Sequence, residues 1–217
     1  MLELIKTKMN DNHKIIADIG CGDLYFTNIL SRELNRTVYA IDTAFTDLRS
    51  HNDGIVKLNG LEQMDDGSID IAVLMDVLEH VENPVEFLQL LRRKCAAGFS
   101  VFTVPTYQHL FSEHDVFLKH YRRYNKWQLY NELDACGFKV ERIFYFYSTL
   151  YLPRLVQTLV SRWRKTKDIA HPISAWGYDE NTWLTKFVRS VFNLDFKLNK
   201  SLPSLFGLSV CAVCTIN

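Results

Sequence analysis

Short apolar runs alternate with helix-like patterns along most of this sequence. Between the runs, apolar residues recur every three or four positions, which predicts amphipathic helices. Strands that alternate with helices in this way form a doubly wound α/β fold, with helices on both faces of a mostly parallel sheet. We therefore predict a single domain, residues 1–217, built on one seven-stranded sheet. The predicted strands are 14–18, 37–41, 54–58, 69–75, 99–104, 138–147 and 208–216.

The first apolar run turns into a helix at two glycines. It ends at Asp18, and Gly20 and Gly22 follow with one residue between them. A side chain at either glycine would keep a ligand away from the backbone, and the free N–H groups of the next helix would face that ligand. The carboxylate of Asp18 suits an ammonium group. We predict a ligand site here with Asp23 as the helix N-cap, and an ordinary strand–helix turn is the alternative.

A second acidic residue, Asp42, ends the next apolar run. A carboxylate about 20 residues after such glycines accepts hydrogen bonds from the ribose hydroxyls of a nucleoside. Ligands of open α/β sheets bind beyond the carboxyl ends of the strands. Asp18, Gly20, Asp42, Met75 and Pro105 all fall at such ends. The pattern therefore predicts a nucleoside-containing ligand along this edge of the sheet.

The overall charge gives no sign of a nucleic-acid partner. Lys and Arg total 25, as do Asp and Glu, so the formal net charge is zero. Positive charge is concentrated in residues 151–205, which hold nine Lys or Arg against four Asp or Glu. No signal-peptide pattern and no bilayer-spanning apolar run stand out, which predicts a cytoplasmic location.

The five cysteines have no regular spacing, which predicts free thiols in a reducing compartment. Cys211 and Cys214 form a CxxC pattern inside the last predicted strand. Side chains three positions apart on a strand point to opposite faces, and a zinc site needs two further ligands. We predict a structural pair of thiols and expect no metal.

Residues 148–205 form a helical insertion before the last strand. Apolar residues keep helical spacing from Leu152 to Trp163 and again from Leu184 to Phe192, with basic residues between them. A basic amphipathic pair of helices can lie on a membrane surface, here through residues 151–200 at the inner face of a membrane. A lid that packs on its own core is the alternative.

Several motifs occur in a fixed order along the chain. They are Asp18-Ile19-Gly20-Cys21-Gly22, Asp42, Asp76-Val77-Leu78-Glu79-His80-Val81, and His114-Asp115 with His120-Tyr121-Arg122-Arg123-Tyr124. Together they resemble class I S-adenosylmethionine-dependent methyltransferases. The later motifs resemble a bacterial subgroup associated with small-molecule or glycan modification. The resemblance covers residues 10–147 and the final strand.

This resemblance implies a Rossmann-like methyltransferase that uses S-adenosyl-L-methionine as cofactor. It implies contacts to the methionine part near Asp18, to the ribose at Asp42, to the adenine around Gly60 and to the methyl group at Met75. The implied cofactor-binding residues are Asp18, Gly20, Cys21, Gly22, Asp42, Thr43, Asn59, Gly60, Leu61, Met75 and Asp76. The family commonly has a third glycine where this chain has Leu24.

The acceptor side of the site is predicted after the fifth strand. If the acceptor is a hydroxyl, a base with a near-neutral pKa helps to remove its proton, and histidine fits this role. We predict that His114 or His120 is this base or orients the acceptor, with Asp115 fixing a histidine tautomer. Predicted acceptor contacts are His109, Arg122, Arg123 and Tyr124. A purely structural clasp over the sheet edge is the alternative.

The sequence favours methyl transfer to a small-molecule acceptor, or to a glycan- or lipid-linked one, at oxygen. A catalytically silent scaffold with the same fold is a second interpretation. A nicotinamide-dependent oxidoreductase is a third, because the glycines and Asp42 overlap with that fingerprint as well. It is less favoured because Tyr25 stands where the fingerprint needs a small residue.

Overall fold

The chain folds around one seven-stranded sheet, seen here in a computed structural model that describes residues 1–48, 54–164, 190 and 205–216. The strand order is β3-β2-β1-β4-β5-β7-β6, with β7 antiparallel to both of its neighbours. The other neighbouring strands, from β3 through β2, β1 and β4 to β5, all pair in parallel. The strands are β1 Ile16–Ile19, β2 Val38–Ile41, β3 Ile55–Leu58, β4 Ile69–Met75, β5 Cys95–Pro105, β6 Lys139–Phe146 and β7 Ser209–Ile216.

Helices lie between the strands, and two of them begin at an asparagine cap. The Asn83 side chain accepts a hydrogen bond from the backbone N–H of Glu86, and Pro84 takes the first helical position. The Asn125 side chain accepts from Gln128 in the same way. The helices are α1 Leu2–Lys8, α2 Tyr25–Leu34, α3 Pro84–Lys94, α4 Glu113–Phe117, α5 Lys126–Ala135 and α6 Tyr151–Arg164.

Two hydrophobic cores lie on opposite faces of the sheet. Leu88 of α3 and Leu129 of α5 belong to one core, and Ile5 of α1 and Leu30 of α2 belong to the other. Strand residues alternate between them because successive side chains of a strand point to opposite faces. This two-sided burial confirms the predicted doubly wound, mostly parallel sheet.

The two cysteines of the CxxC pattern follow the same alternation. Cys211 packs in the core of α1 and α2, and Cys214 packs in the core of α3 and α5. All five cysteines are free thiols. The prediction that the two sulfurs face opposite sides is therefore confirmed.

Two predictions about element ends are wrong. The fifth strand begins at Cys95 rather than Phe99, because Cys95 already pairs with Ile69 of β4. Asp23 is not the N-cap of α2; Leu24 holds that position in a left-handed conformation, with φ at 66° and ψ at 10°. The Asp23 carboxylate instead accepts a hydrogen bond from the backbone N–H of Tyr25.

The insertion before β7 begins as predicted with a helix, α6. The second predicted helix, 184–192, lies outside the described residues apart from Ser190. Within the part of the chain that the structure describes, no helix combines the length and apolarity needed to cross a bilayer. The proposed contact of residues 151–200 with a membrane surface stays a prediction.

Candidate active site

A cavity opens where the direction of the sheet order reverses. β1 pairs with β2 on one side and with β4 on the other, so the connections leaving β1 and β4 run to opposite sides. Such a switch point leaves a crevice beyond the carboxyl ends of the two strands. The cavity there has a volume of about 280 Å³. Its lining residues are Asp18, Gly20, Cys21, Asp23, Tyr25, Phe26, Met75 and Asp76.

The glycine turn after β1 is tied to the end of β2. The backbone N–H of Gly20 donates to the Ile41 carbonyl at 2.7 Å, and that of Gly22 donates to the Asp42 carboxylate at 2.9 Å. Gly20 has φ at 70°, and a Cβ there would lie 2.6 Å from Val77 Cγ2. A Cβ at Gly22 would meet nothing within 4 Å. Gly20 is therefore needed for close packing against Val77, and Gly22 presents bare backbone to open space, as a bound cofactor requires.

Asp18 lies at the floor of the cavity with 2% of its surface exposed. Its carboxylate accepts a hydrogen bond from Thr27 Oγ1 at 2.6 Å. Burial raises the pKa of Asp18 to about 6, although the bond from Thr27 acts in the opposite direction. A cationic group in the cavity would favour the charged carboxylate, so the residue suits an ammonium ligand.

Asp76 borders the cavity at the end of β4. Its backbone N–H donates to the Thr103 carbonyl at 2.9 Å, and its carboxylate accepts from Thr103 Oγ1 at 3.2 Å. The residue is exposed towards the cavity and holds φ at 55°, which is uncommon outside glycine. Desolvation by the surrounding protein atoms raises the pKa of its carboxyl. The β5 hydroxyl therefore fixes this carboxylate beside the cavity.

A buried charge network supports the loop after β5. Asp115 is fully buried, and its carboxylate accepts from His120 Nδ1 at 3.0 Å, from Arg123 Nε at 2.7 Å and from the backbone N–H of Ser112 at 2.9 Å. Burial alone would raise the pKa of Asp115, but the bonds from His120 and Arg123 hold it far below its usual range. Asp115 thus orients His120 and leaves the other ring nitrogen of His120 for a further partner.

The turn after β4 brings two more ionisable groups to His120. The His80 and His120 rings pack edge to face with 4.6 Å between their centroids. Glu79 is fully buried, and burial, followed by the charge of Asp76, raises its pKa to about 8. The two segments are joined because the backbone N–H of Tyr121 donates to the Glu79 carbonyl at 2.8 Å.

The two predicted catalytic histidines have different surroundings, although both lie near Asp115. His114 is half-buried on α4, where burial, followed by the charge of Arg154, lowers its pKa. The ring of His120 instead packs on the ring of His80, which lies in the turn after β4, four residues after Asp76 of the cavity. The structure therefore places His120, rather than His114, beside the residues that border the cavity.

The four predicted acceptor contacts also differ in their surroundings. His109 Nε2 lies 3.2 Å from the hydroxyl of Tyr151, and Arg122 donates to the Glu82 carbonyl at 2.7 Å. Arg123 and Tyr124 lie inside the protein, with 9% and 0% exposure. Arg123 binds Asp115 and Tyr124 packs in the core, and their predicted contact with an acceptor stays a prediction.

The remaining predicted cofactor residues lie at the ends of β2 and β3, outside the lining of this cavity. Asp42 is half-buried and its second carboxylate oxygen accepts from the backbone N–H of Ala44 at 2.9 Å; Thr43 beside it is exposed. Asn59 and Gly60 precede a short turn in which Leu61 is buried. Each Asp42 oxygen keeps a lone pair, so its predicted role with ribose hydroxyls stays possible.

Three lining residues, Asp23, Tyr25 and Phe26, were not predicted to form the site. Their signal was position: each follows the glycine turn directly and therefore faces the same crevice. The sequence pattern assigns Asp23 to a helix cap instead. The left-handed Leu24 turns the start of α2 so that these side chains reach the cavity.

The chain also matches known proteins. A family model described as a methyltransferase domain covers residues 2–143. The chain belongs to this methyltransferase family. The match confirms the predicted family and S-adenosylmethionine as its cofactor, and the nicotinamide alternative is dropped. The glycine turn and Asp18 fit that cofactor, because they offer open backbone and a carboxylate at one site.

Two relatives share part of this methyltransferase chain. Both are described as ubiquinone biosynthesis O-methyltransferases from strains of Rickettsia bellii, and each is 33% identical over 116 residues. The match covers 48% of this chain and 47% of each relative. The chain thus spans about half the length of the curated relatives it matches.

Solved structures share the fold of this methyltransferase. An S-adenosylmethionine-dependent methyltransferase from Archaeoglobus fulgidus superposes with a TM-score of 0.58 at 18% identity, over 99% of this chain and 94% of that one. Phosphoethanolamine N-methyltransferase 2 of Haemonchus contortus, in complex with S-adenosyl-L-methionine, gives 0.59 at 13% identity, over 98% and 50%. These superpositions show the shared fold.

Proposed function

We propose that this protein transfers the methyl group of S-adenosylmethionine to an oxygen of a small-molecule acceptor, free or linked to a glycan or lipid. The observation that carries the proposal is the single cavity that joins Asp18 and the glycine turn to Met75 and Asp76. The similarity to two O-methyltransferases supports oxygen as the methylated atom.

The chain's own residues define two halves of the site. On one half, Asp18 binds an ammonium group, the backbone at Gly20 and Gly22 lies against the ligand, and Asp42 accepts from ribose hydroxyls. When bound, S-adenosylmethionine supplies a sulfonium methyl group that a nucleophile displaces in line. Such a displacement gains most from holding the two reacting atoms in contact, which is the task of the surrounding residues.

The other half begins at Asp76 and continues to His120. The Asp115 carboxylate lies 3.0 Å from His120 Nδ1, so it orients the ring and leaves Nε2 to contact another group. His120 is therefore the better candidate of the two histidines for contacting the acceptor hydroxyl, and His114 is the alternative. Asp115 acts as a positioning residue through His120.

Helix α6 supports a role in selecting the acceptor. Tyr151 at its start meets His109, and Arg154 donates to Ser112 Oγ at 2.8 Å, so its first turns pack on the loop that carries His120. Leu152, Val156 and Trp163 are more than half exposed along the same helix. These contacts fit a lid, and the exposed apolar residues fit the predicted contact with a membrane surface.

Two measurements test the proposal. Calorimetric titration with S-adenosylhomocysteine should show micromolar binding that Asp42→Ala removes. Incubation with S-adenosylmethionine carrying a labelled methyl group should then label a phenol or sugar hydroxyl, and not an amine of similar shape. Binding without any transfer to hydroxyl acceptors would contradict O-methylation, and no binding by the folded protein would favour the silent scaffold.

The membrane contact needs its own test. Co-sedimentation of the protein with anionic liposomes at low salt should be lost when Trp163 and Leu159 are both replaced by Ser. Equal sedimentation of both proteins would contradict a contact through α6, and no sedimentation of the wild type would leave the lid as the role of this helix.

A further inference from the structure

Glu79 presents a buried carboxylate that the mechanism above does not use. The residue has no exposed surface, and neither carboxylate oxygen has a hydrogen-bond partner among the described residues. An unpaired buried carboxyl is costly, because it gives up its hydration and gains no donor in return. Such a group calls for a partner that the described residues do not supply.

Two histidines surround this carboxyl group. One ligand atom each from Glu79, His80 and His120 can be chosen so that all lie within 4.8 Å of one another. The chain brings them together by the backbone bond from Tyr121 to Glu79 and by the edge-to-face packing of the two rings. The three donors therefore come from two separate segments that meet at one point.

A hydrogen bond from the surrounding protein orients each of the two histidine rings. His120 Nδ1 meets the Asp115 carboxylate at 3.0 Å, and His80 is hydrogen-bonded to the backbone of Lys119. A histidine that ligates a metal ion almost always gives its other ring nitrogen to a carboxylate or a backbone carbonyl in this way. The pattern fits two metal-ligating rings better than two surface histidines.

We propose that Glu79, His80 and His120 bind one divalent transition-metal cation. Two imidazoles and one carboxylate form a ligand set found at catalytic zinc sites, where a further position stays open. Ligand bonds of about 2.0–2.2 Å would require these side chains to close by about an ångström. His80 is exposed, which gives the cation a path into the site, while Glu79 forms its buried wall.

The position of the cation gives it a use, and this part rests on the proposed function. His80 and His120 both lie close enough to Asp76, which borders the cofactor cavity, for their charges to lower the pKa of its carboxyl, although burial raises that pKa more. A cation at the cluster would lie on the acceptor half of the site, and a hydroxyl bound to such a cation has a lowered pKa. His120 would then act on the acceptor through the cation. Acceptors with two neighbouring oxygens, which can chelate a cation, are the chemical class that this arrangement favours.

The test uses Co²⁺ as the probe, with the whole chain of residues 1–217 freed of metal by a chelator and dialysis. Visible absorption reports the coordination of Co²⁺, and a thiolate ligand adds a separate charge-transfer band. The variants are Glu79→Gln and His80→Ala, and the matched control is His13→Ala, a histidine before β1 at the opposite edge of the sheet. Each sample is also titrated with S-adenosylhomocysteine, and its folding is checked by circular dichroism.

We expect one Co²⁺ per chain without the thiolate band, at least tenfold weaker binding in Glu79→Gln and His80→Ala, and unchanged binding in His13→Ala. A folded wild type that binds no Co²⁺, a thiolate band, or undiminished binding in both variants would overturn the proposal. The cofactor titration separates the two proposals. Binding of S-adenosylhomocysteine without Co²⁺ binding overturns only the cation site, and the reverse result overturns only the proposed function.

Discussion

Replacing Leu24 by glycine should separate backbone strain from side-chain packing at the start of α2. Leu24 has φ at 66° and ψ at 10°, where an L-residue bears a steric cost of about 1–2 kcal/mol. Glycine avoids that cost but loses about 0.4–1 kcal/mol through its freer unfolded chain. Glycine should therefore be more stable than alanine here by about 0.5–1 kcal/mol, the difference of these two terms.

The leucine side chain adds a second, opposing contribution. It is partly buried, and truncating it to alanine removes about 1 kcal/mol of apolar burial, a fraction of the value for full burial. Leu24→Ala should thus be about 1 kcal/mol less stable than the wild type, since it keeps the strain and loses the packing. Leu24→Gly should lie close to the wild type, because release of strain offsets the same loss.

Thermal and urea unfolding of the two variants measure the difference, which corresponds to a melting temperature higher by about 2 °C for glycine in a chain of this size. Gln89, exposed in the middle of α3, supplies the control. There Gln89→Gly should be about 1 kcal/mol less stable than Gln89→Ala, the usual order inside a helix. The same order at both positions would refute the strain argument. Because Leu24 does not line the described cavity, affinity for S-adenosylhomocysteine should stay unchanged.

Three further predictions follow from buried groups. A cationic ligand favours the ionised form of Asp18, whose pKa is raised to about 6, so affinity for S-adenosylhomocysteine should rise as the pH increases through 6. Calorimetry at several pH values should show no such rise in Asp18→Asn. A wild-type affinity that does not change with pH would contradict this role of Asp18. Asp115→Asn should lower the free energy of unfolding by about 3 kcal/mol, because it leaves the buried charge of Arg123 without a charged partner. Urea titration measures this change. A change below about 1 kcal/mol would show that water solvates the Arg123 charge in the variant. Gly98→Ala should cost about 2–3 kcal/mol, because the new Cβ would overlap the carbonyl of Asp70; an unchanged melting temperature would show that β4 and β5 separate easily.

The fold could be predicted because strand pattern and topology are set locally. Each buried strand is visible in the sequence as an apolar run. Because helices must connect the parallel strands, only a few strand orders are compatible with the sequence. The carboxyl edge of the sheet then collects the residues that end each strand, such as Asp18 and Met75, without any knowledge of packing. The half of the site that lies on this edge was therefore accessible from the sequence.

Backbone conformation at the rim of the site was not accessible in the same way. Leu24, Asp76 and Tyr107 all have positive φ values, and no residue type there signals it as glycine does. The backbone directions at the rim decide which side chains reach the cavity. Tyr25 and Phe26 line it, although neither was predicted as a site residue. Non-glycine residues in this conformation persist only where surrounding contacts hold them.

The acceptor half of the site was the hardest to predict, because it depends on contacts between segments far apart in sequence. His120 lies near Glu79 through one backbone bond from Tyr121 and one side-chain bond from Arg122 to the Glu82 carbonyl. Neither bond has a periodic signature, since a loop that packs on a turn satisfies its polar groups wherever they meet. The histidines could be counted from the sequence, but their partners could not. For this reason our preference for His120 over His114, and the cation site that we propose at Glu79, rest on these contacts rather than on the motifs.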